Sequence, residues 1–112
     1  MNDGLFGPID SRVDPDWLIK EFFDSMYTQN AFLWALARIQ KKSDFGVNED
    51  YCNFLDGESS EVELGLFDES QIFTYDVFQK FLKIACEKYL IVRPEDTYKV
   101  SRVLAELSLS RS

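Results

Sequence analysis

Carboxylates are the residues of this chain with the numbers and spacing to do chemistry. Ten of them (Asp44, Glu49, Asp50, Asp56, Glu58, Glu61, Glu63, Asp68, Glu69 and Asp76) stand between Ser43 and Gln79, with no Lys or Arg among them. Half of the 20 acids thus fall in about a third of the chain, and all 12 bases lie elsewhere. Such a run could coordinate a metal or attract a basic partner. Asp44, Gly46, Asn48 and Asp50 alternate as calcium-loop ligands do, but the terminal Glu and the central Gly of that loop are missing, so no metal site is expected. Catalysis lacks its usual groups. Histidine is absent, and neither Cys52 nor Cys86 has a basic residue beside it to stabilise a thiolate. Gly57 and Gly65 are isolated, and the Gly4 to Gly7 pair lacks the Lys and Ser/Thr of a phosphate loop. No catalytic residue and no cofactor are therefore expected. A carboxylate-based metalloprotein or small hydrolase is the competing class, separated by metal analysis and calcium titration.

The net charge of −8 is regional, concentrated in that middle segment. A field of that sign repels phosphate backbones and anionic lipid, which argues against nucleic acid and membrane surfaces as ligands. It can equally steer a basic protein onto itself or simply keep a surface solvated. At 112 residues, 46% of them apolar and 15% aromatic, the chain fits a single folded domain over 1–112 rather than an acidic tail. Two cysteines make neither a disulfide scaffold nor a metal site. Cys86 reads as a small buried hydrophobe, and Cys52 has no evident role. Met1 to Ile9 has no signal-peptide pattern, and no apolar run has spanning length, so a cytoplasmic protein is expected.

The elements that must position the acids follow from local signals. Residues 1–14 read as an irregular leader punctuated by Gly4, Gly7 and Pro8. Asp14 and Pro15 form a cap and first position for a helix to about Met26, with Trp17, Leu18, Phe22 and either Met26 or Phe23 inward. Asn30 reads as the cap of a second helix to about Lys42, with Leu33, Trp34, Ala37 and Leu36 as candidate inward residues. Residues 43–60 read as a long acidic loop with one ordered piece at Tyr51 to Leu55. Glu61 to Phe67 alternates as a half-buried strand, with Glu61, Glu63 and Gly65 on one face and Val62, Leu64 and Leu66 on the other. A turn at Asp68 to Ser70 would return Gln71 to Phe73 as the second arm of a hairpin. Thr74 caps a long helix with Phe78, Phe81, Leu82, Ala85 and Tyr89 inward, ending near Leu90 to Val92 before Pro94. The last helix begins at Pro94, buries Val100, Val103, Leu104 and Leu107, and frays from Ser108. The fold class expected is α+β, with about four helices on a small antiparallel sheet or hairpin. Its core is expected to join Phe78, Phe81, Leu82, Ala85, Cys86 and Tyr89 to Trp17, Phe22, Leu33 and Trp34.

The stretch EVELGLFDESQIFTYDVFQKFLKIACEKYL from Glu61 to Leu90, followed by RPED at 93–96, resembles the immunity proteins of bacterial contact-dependent growth inhibition systems. The likeness is greatest to those that protect against ribonuclease toxins. It covers about a third of the chain and rests on the acidic strand ending at Phe67, Asp68 and Glu69, on the Phe81 to Tyr89 helix, and on Pro94, Glu95 and Asp96. The resemblance implies a small non-enzymatic protein that binds one cognate toxin domain, 1:1, and occludes its nuclease site. A ribonuclease presents Lys, Arg or His to phosphate, and an acidic partner can imitate that substrate. The candidate toxin-binding residues are Asp56, Glu58, Glu61, Glu63, Asp68 and Glu69, with Tyr51 and Phe54 as aromatic anchors. Against this stands the plainer reading, in which each acid is merely solvated and Phe54 covers the core. An acidic adaptor that binds some other basic protein shares the charge argument, and the neighbouring genes would discriminate it.

Overall fold

The computed structural model describes residues 5–6, 9–55, 61–66 and 69–111, with the backbone alone from 107 to 111. The chain runs α1 (Trp17–Thr28), α2 (Phe32–Gln40), β1 (Phe45–Val47), β2 (Asp50–Leu55), β3 (Glu61–Leu66), β4 (Glu69–Thr74), α3 (Tyr75–Val92), a 3-10 turn (Pro94–Asp96) and α4 (Thr97–Arg111). The strands form one antiparallel sheet in sequential order. This is the expected α+β class, four helices against a four-stranded antiparallel sheet.

α1 starts two residues later than the proline signal suggests. Asp14 does not cap the helix; its carboxylate closes a turn onto the Asp16 N–H at 2.8 Å and accepts the Lys20 ammonium at 2.8 Å. Both contacts, the Lys20 one foremost, hold its pKa below the ordinary carboxylate value. α1 ends at Asn30, which takes a left-handed φ of 59° rather than capping the next helix. The Ala31 N–H bonds to the Met26 carbonyl and the Asn30 N–H to that of Tyr27, the paired bonds of a Schellman ending. Lys42, at φ 52°, ends α2 in the same way, with Ser43 bonded back to Arg38 and Lys42 to Ile39. α2 is rotated from the expected phase. Phe32, Ala35, Leu36 and Ile39 are buried, Leu33 is half-buried, Ala37 is exposed and Trp34 is 44% exposed.

The expected loop over 43–60 holds two strands. β1 and β2 pair as Phe45 with Cys52 and Val47 with Asp50, across Asn48, whose φ is 56°. Cys52 is wholly buried in this hairpin, and burial raises its thiol pKa far above the usual range. Cys86, equally buried on α3, is pushed up to about 12, so neither sulfur is a thiolate at neutral pH. β4 starts at Glu69, earlier than its expected start at Gln71. Thr74 caps α3 as expected, its hydroxyl accepting the Val77 N–H at 3.3 Å.

The core lies between the sheet and the α1/α3 pair. α3 buries Phe78, Phe81, Leu82, Ala85, Cys86 and Tyr89, the stripe its periodicity predicts. Of the expected partners Phe22 is buried in the same core and Trp17 and Leu33 pack against it partly buried, Trp34 is largely outside it, and Phe23, Met26 and Phe32 are buried in it besides. Phe23 meets the Phe78 ring at 5.8 Å, and Phe32 stacks on Tyr89 at 4.4 Å. The leader joins this core: Leu5 is buried, Phe6 lies 6.5 Å from Phe81, and the Phe6 N–H bonds to the Asp24 carboxylate at 2.9 Å. α4 extends to Arg111, past the expected fraying point, and buries Val100 with Val103 and Leu104 half-buried. Among the described residues no helix is long and apolar enough to cross a membrane.

Candidate functional site

Strand parity divides the sheet into two faces. Across β2, β3 and β4, the rows Cys52–Leu64–Gln71 and Phe54–Val62–Phe73 share the inward parity. Tyr51–Gly65–Ser70, Asn53–Glu63–Ile72 and Leu55–Glu61–Thr74 share the outward one. α1 packs on β3, and α3 on β3 and β4, from the inward side. Outward, Glu61, Ser70 and Thr74 are exposed, Ile72 is 53% exposed, and Tyr51, Asn53, Leu55 and Glu63 are half-buried.

The outward face is built around a deliberate gap. Gly65 has no side chain because the Tyr51 ring lies over it; a Cβ there would stand 2.1 Å from the ring carbon Cε2. Tyr51 is thereby laid flat along the sheet rather than standing away from it. Glu63 sits between Asn53 and Ile72, and Glu61 between Leu55 and Thr74. Two carboxylates are thus set among one aromatic and two aliphatic side chains. All four strands fall within the base-free stretch, so the sheet contributes acids alone and the 12 bases belong to the helices and their connections.

The structure separates the other candidates. Phe54 points inward, partly buried, with its ring 6.1 Å from that of Phe78 in an edge contact, and so covers the core. Glu69 opens β4 opposite Leu66, on the inward parity and at the far end of the hairpin from Glu61. Asp56, Glu58 and Asp68 lie outside the described residues. Leu55, Ile72 and Asn53 join the face although the charge pattern did not single them out; the opposite parity of Ile72 and Phe73 is the signal that places Ile72 there.

Two acids of the run serve the fold instead. Asp44 accepts the Phe54 N–H at 2.7 Å, bracing the start of the β1–β2 hairpin. Asp50 is buried and accepts from the Ser25 hydroxyl and, at 3.1 Å, from Gln29 Nε2. Asn48 donates to Gln29 Oε1 and completes the link between the hairpin tip and α1. One oxygen each of Asp44 and Asp50 therefore accepts from protein donors, and Asn48 takes part through its amide nitrogen. Among the described residues no group of three or more His, Cys, Asp or Glu is arranged to hold a metal ion. Glu21, nearby on α1, has its pKa raised by burial and then by the charges of Asp24 and Asp50.

Comparison with known proteins agrees with a partner-binding role. A family described as CDI immunity protein matches the chain over residues 15–104. A search of curated proteins found no match.

Proposed function

Because the chain belongs to the CDI immunity protein family, whose members act by protein–protein interaction, we propose that it neutralises a basic nuclease toxin domain, most simply a ribonuclease, by covering its active site. The observation that carries this reading is the open, base-free sheet face on which Glu61 and Glu63 stand among Tyr51, Leu55 and Ile72. A nuclease aligns cations to hold phosphates, and two carboxylates one strand repeat apart offer those cations a substitute. The rigid Tyr51 ring supplies the desolvated contact that charge alone does not. The other acids of the base-free stretch, Asp56, Glu58, Asp68 and Glu69, add to its negative charge and raise the encounter rate. The complex is 1:1, forms in the cytoplasm, and inhibits by occupation, with nothing turned over.

Co-expression with the toxin domain encoded beside this gene tests the reading. The parent protein rescues growth, and a variant carrying Tyr51→Ala with Glu63→Lys does not, at equal soluble levels. Killing by an active toxin in the presence of matched parent protein would end the proposal.

A further inference from the structure

The two edges of the sheet, β1 and β4, are built differently. β1 is three residues long and is followed at once by Asn48, whose left-handed φ of 56° turns the chain back. So short an edge offers little to pair with. β4 is six residues long and pairs with β3 one to one from Glu69 to Thr74, without a bulge. Its sequence, ESQIFT, has neither proline nor lysine, the residues that commonly blunt an edge. Among the described residues nothing pairs with its outer side, and no backbone bond leaves residues 69–73 except within the sheet. All of β4 except Phe73 is exposed. Alternate N–H and C=O groups of β4 therefore point to solvent as an open template.

Charge says what kind of strand fits. β3, the neighbour of β4, carries Glu61 opposite Thr74 and Glu63 opposite Ile72, all four on the outward face. The two carboxylates stand two residues apart, the repeat at which side chains of an added strand recur on one face. A Lys or Arg of that strand beside Ile72 can lay its apolar stem across the isoleucine and bring its charge to Glu63, and one beside Thr74 can meet Glu61. A second copy of this chain fits less well, because its β4 brings no base and its net charge of −8 meets another −8. We infer that the open edge of β4 receives an extended segment of the toxin domain, with Lys or Arg at alternate positions, as a fifth strand. This mode of docking rests on the toxin-binding reading and deepens it. Main-chain pairing at the edge gives the affinity, and Glu61 and Glu63 fix the register.

The test is amide hydrogen exchange, read residue by residue in the free protein and in its complex with the toxin domain. In the free protein alternate amides of residues 70–73 should exchange freely, and in the complex the same amides should slow about a hundredfold or more. The free pattern also shows which of Ser70 and Gln71 aims its N–H outward, since neighbouring residues alternate. Of Ser70→Pro and Gln71→Pro, the one at that position removes a bond to the added strand and none to β3. It should keep its Tm and lose toxin affinity about tenfold, while the other should lower Tm. A toxin that is bound and inhibited while those amides still exchange freely would overturn the edge and leave the toxin-binding reading standing; no binding at all would end both. Slowing in the protein alone that grows with its concentration, together with dimers in sedimentation, would give the edge to a second copy and overturn the assignment to the toxin.

Discussion

Gly65 and Tyr51 act as one unit. The ring occupies the space a side chain would fill, so Gly65→Ala must swing the ring away from the sheet. Because a side chain and not the backbone yields, the stability cost should be modest, about 1 kcal/mol, while toxin affinity should fall at least about tenfold. Denaturant melts alongside binding titrations would separate the two effects; full affinity in the variant would remove Tyr51 from the interface. Glu21 offers a second test. Its folded-state pKa is raised, by burial first and then by Asp24 and Asp50, so the ionised form disfavours the fold. That cost is fully present above the raised value and absent below the ordinary value of 4.5. Glu21→Gln should therefore raise Tm at pH 7, with the gain shrinking as pH falls through the raised value. A gain that is constant with pH would mean that the Glu21 charge is unimportant.

At the scale of elements, the helix endings set where the helices point. Asn30 holds a left-handed conformation that turns the chain into α2, whose Phe32 stacks on Tyr89 near the end of α3. Asn30→Gly should be nearly neutral, and Asn30→Ala should cost about 1–2 kcal/mol, a difference that urea midpoints would register. Equal midpoints would mean that the corner is not strained. The same elements show what was readable beforehand. The α3 stripe was legible because 18 residues give five turns of consistent phase. α2 was not, because Phe32 to Ala37 is apolar on every side over only nine residues, and periodicity cannot choose between its faces. The β1–β2 hairpin was hidden because its strands are short and are set among the turn-forming Gly46, Asn48 and Asn53. Its pairing depends on Cys52 reaching the core and on Asp50 finding Ser25 and Gln29, contacts distant in sequence. Glu61 and Glu63 were legible from strict alternation, whereas Tyr51 joins them through a cross-strand register that a single strand does not encode.

Over the whole molecule, every base lies outside the sheet. The described strands carry Asp50, Glu61, Glu63 and Glu69 and no base, whereas the helices carry both signs, so the charge of the sheet is wholly negative and that of the helices mixed. Such a field governs encounter more than residence, since exposed charges are screened within about 10 Å at 0.1 M salt. The central claim is that the outward sheet face meets the toxin, and it is tested most directly by association kinetics of the toxin domain at about 0.05 and 0.5 M salt, for the parent and for Glu61→Lys with Glu63→Lys. The account predicts a parent on-rate that falls about tenfold or more with salt at a nearly constant off-rate, and a double variant that associates slowly at low salt with little salt dependence. Parent and variant associating equally fast at low salt would contradict it.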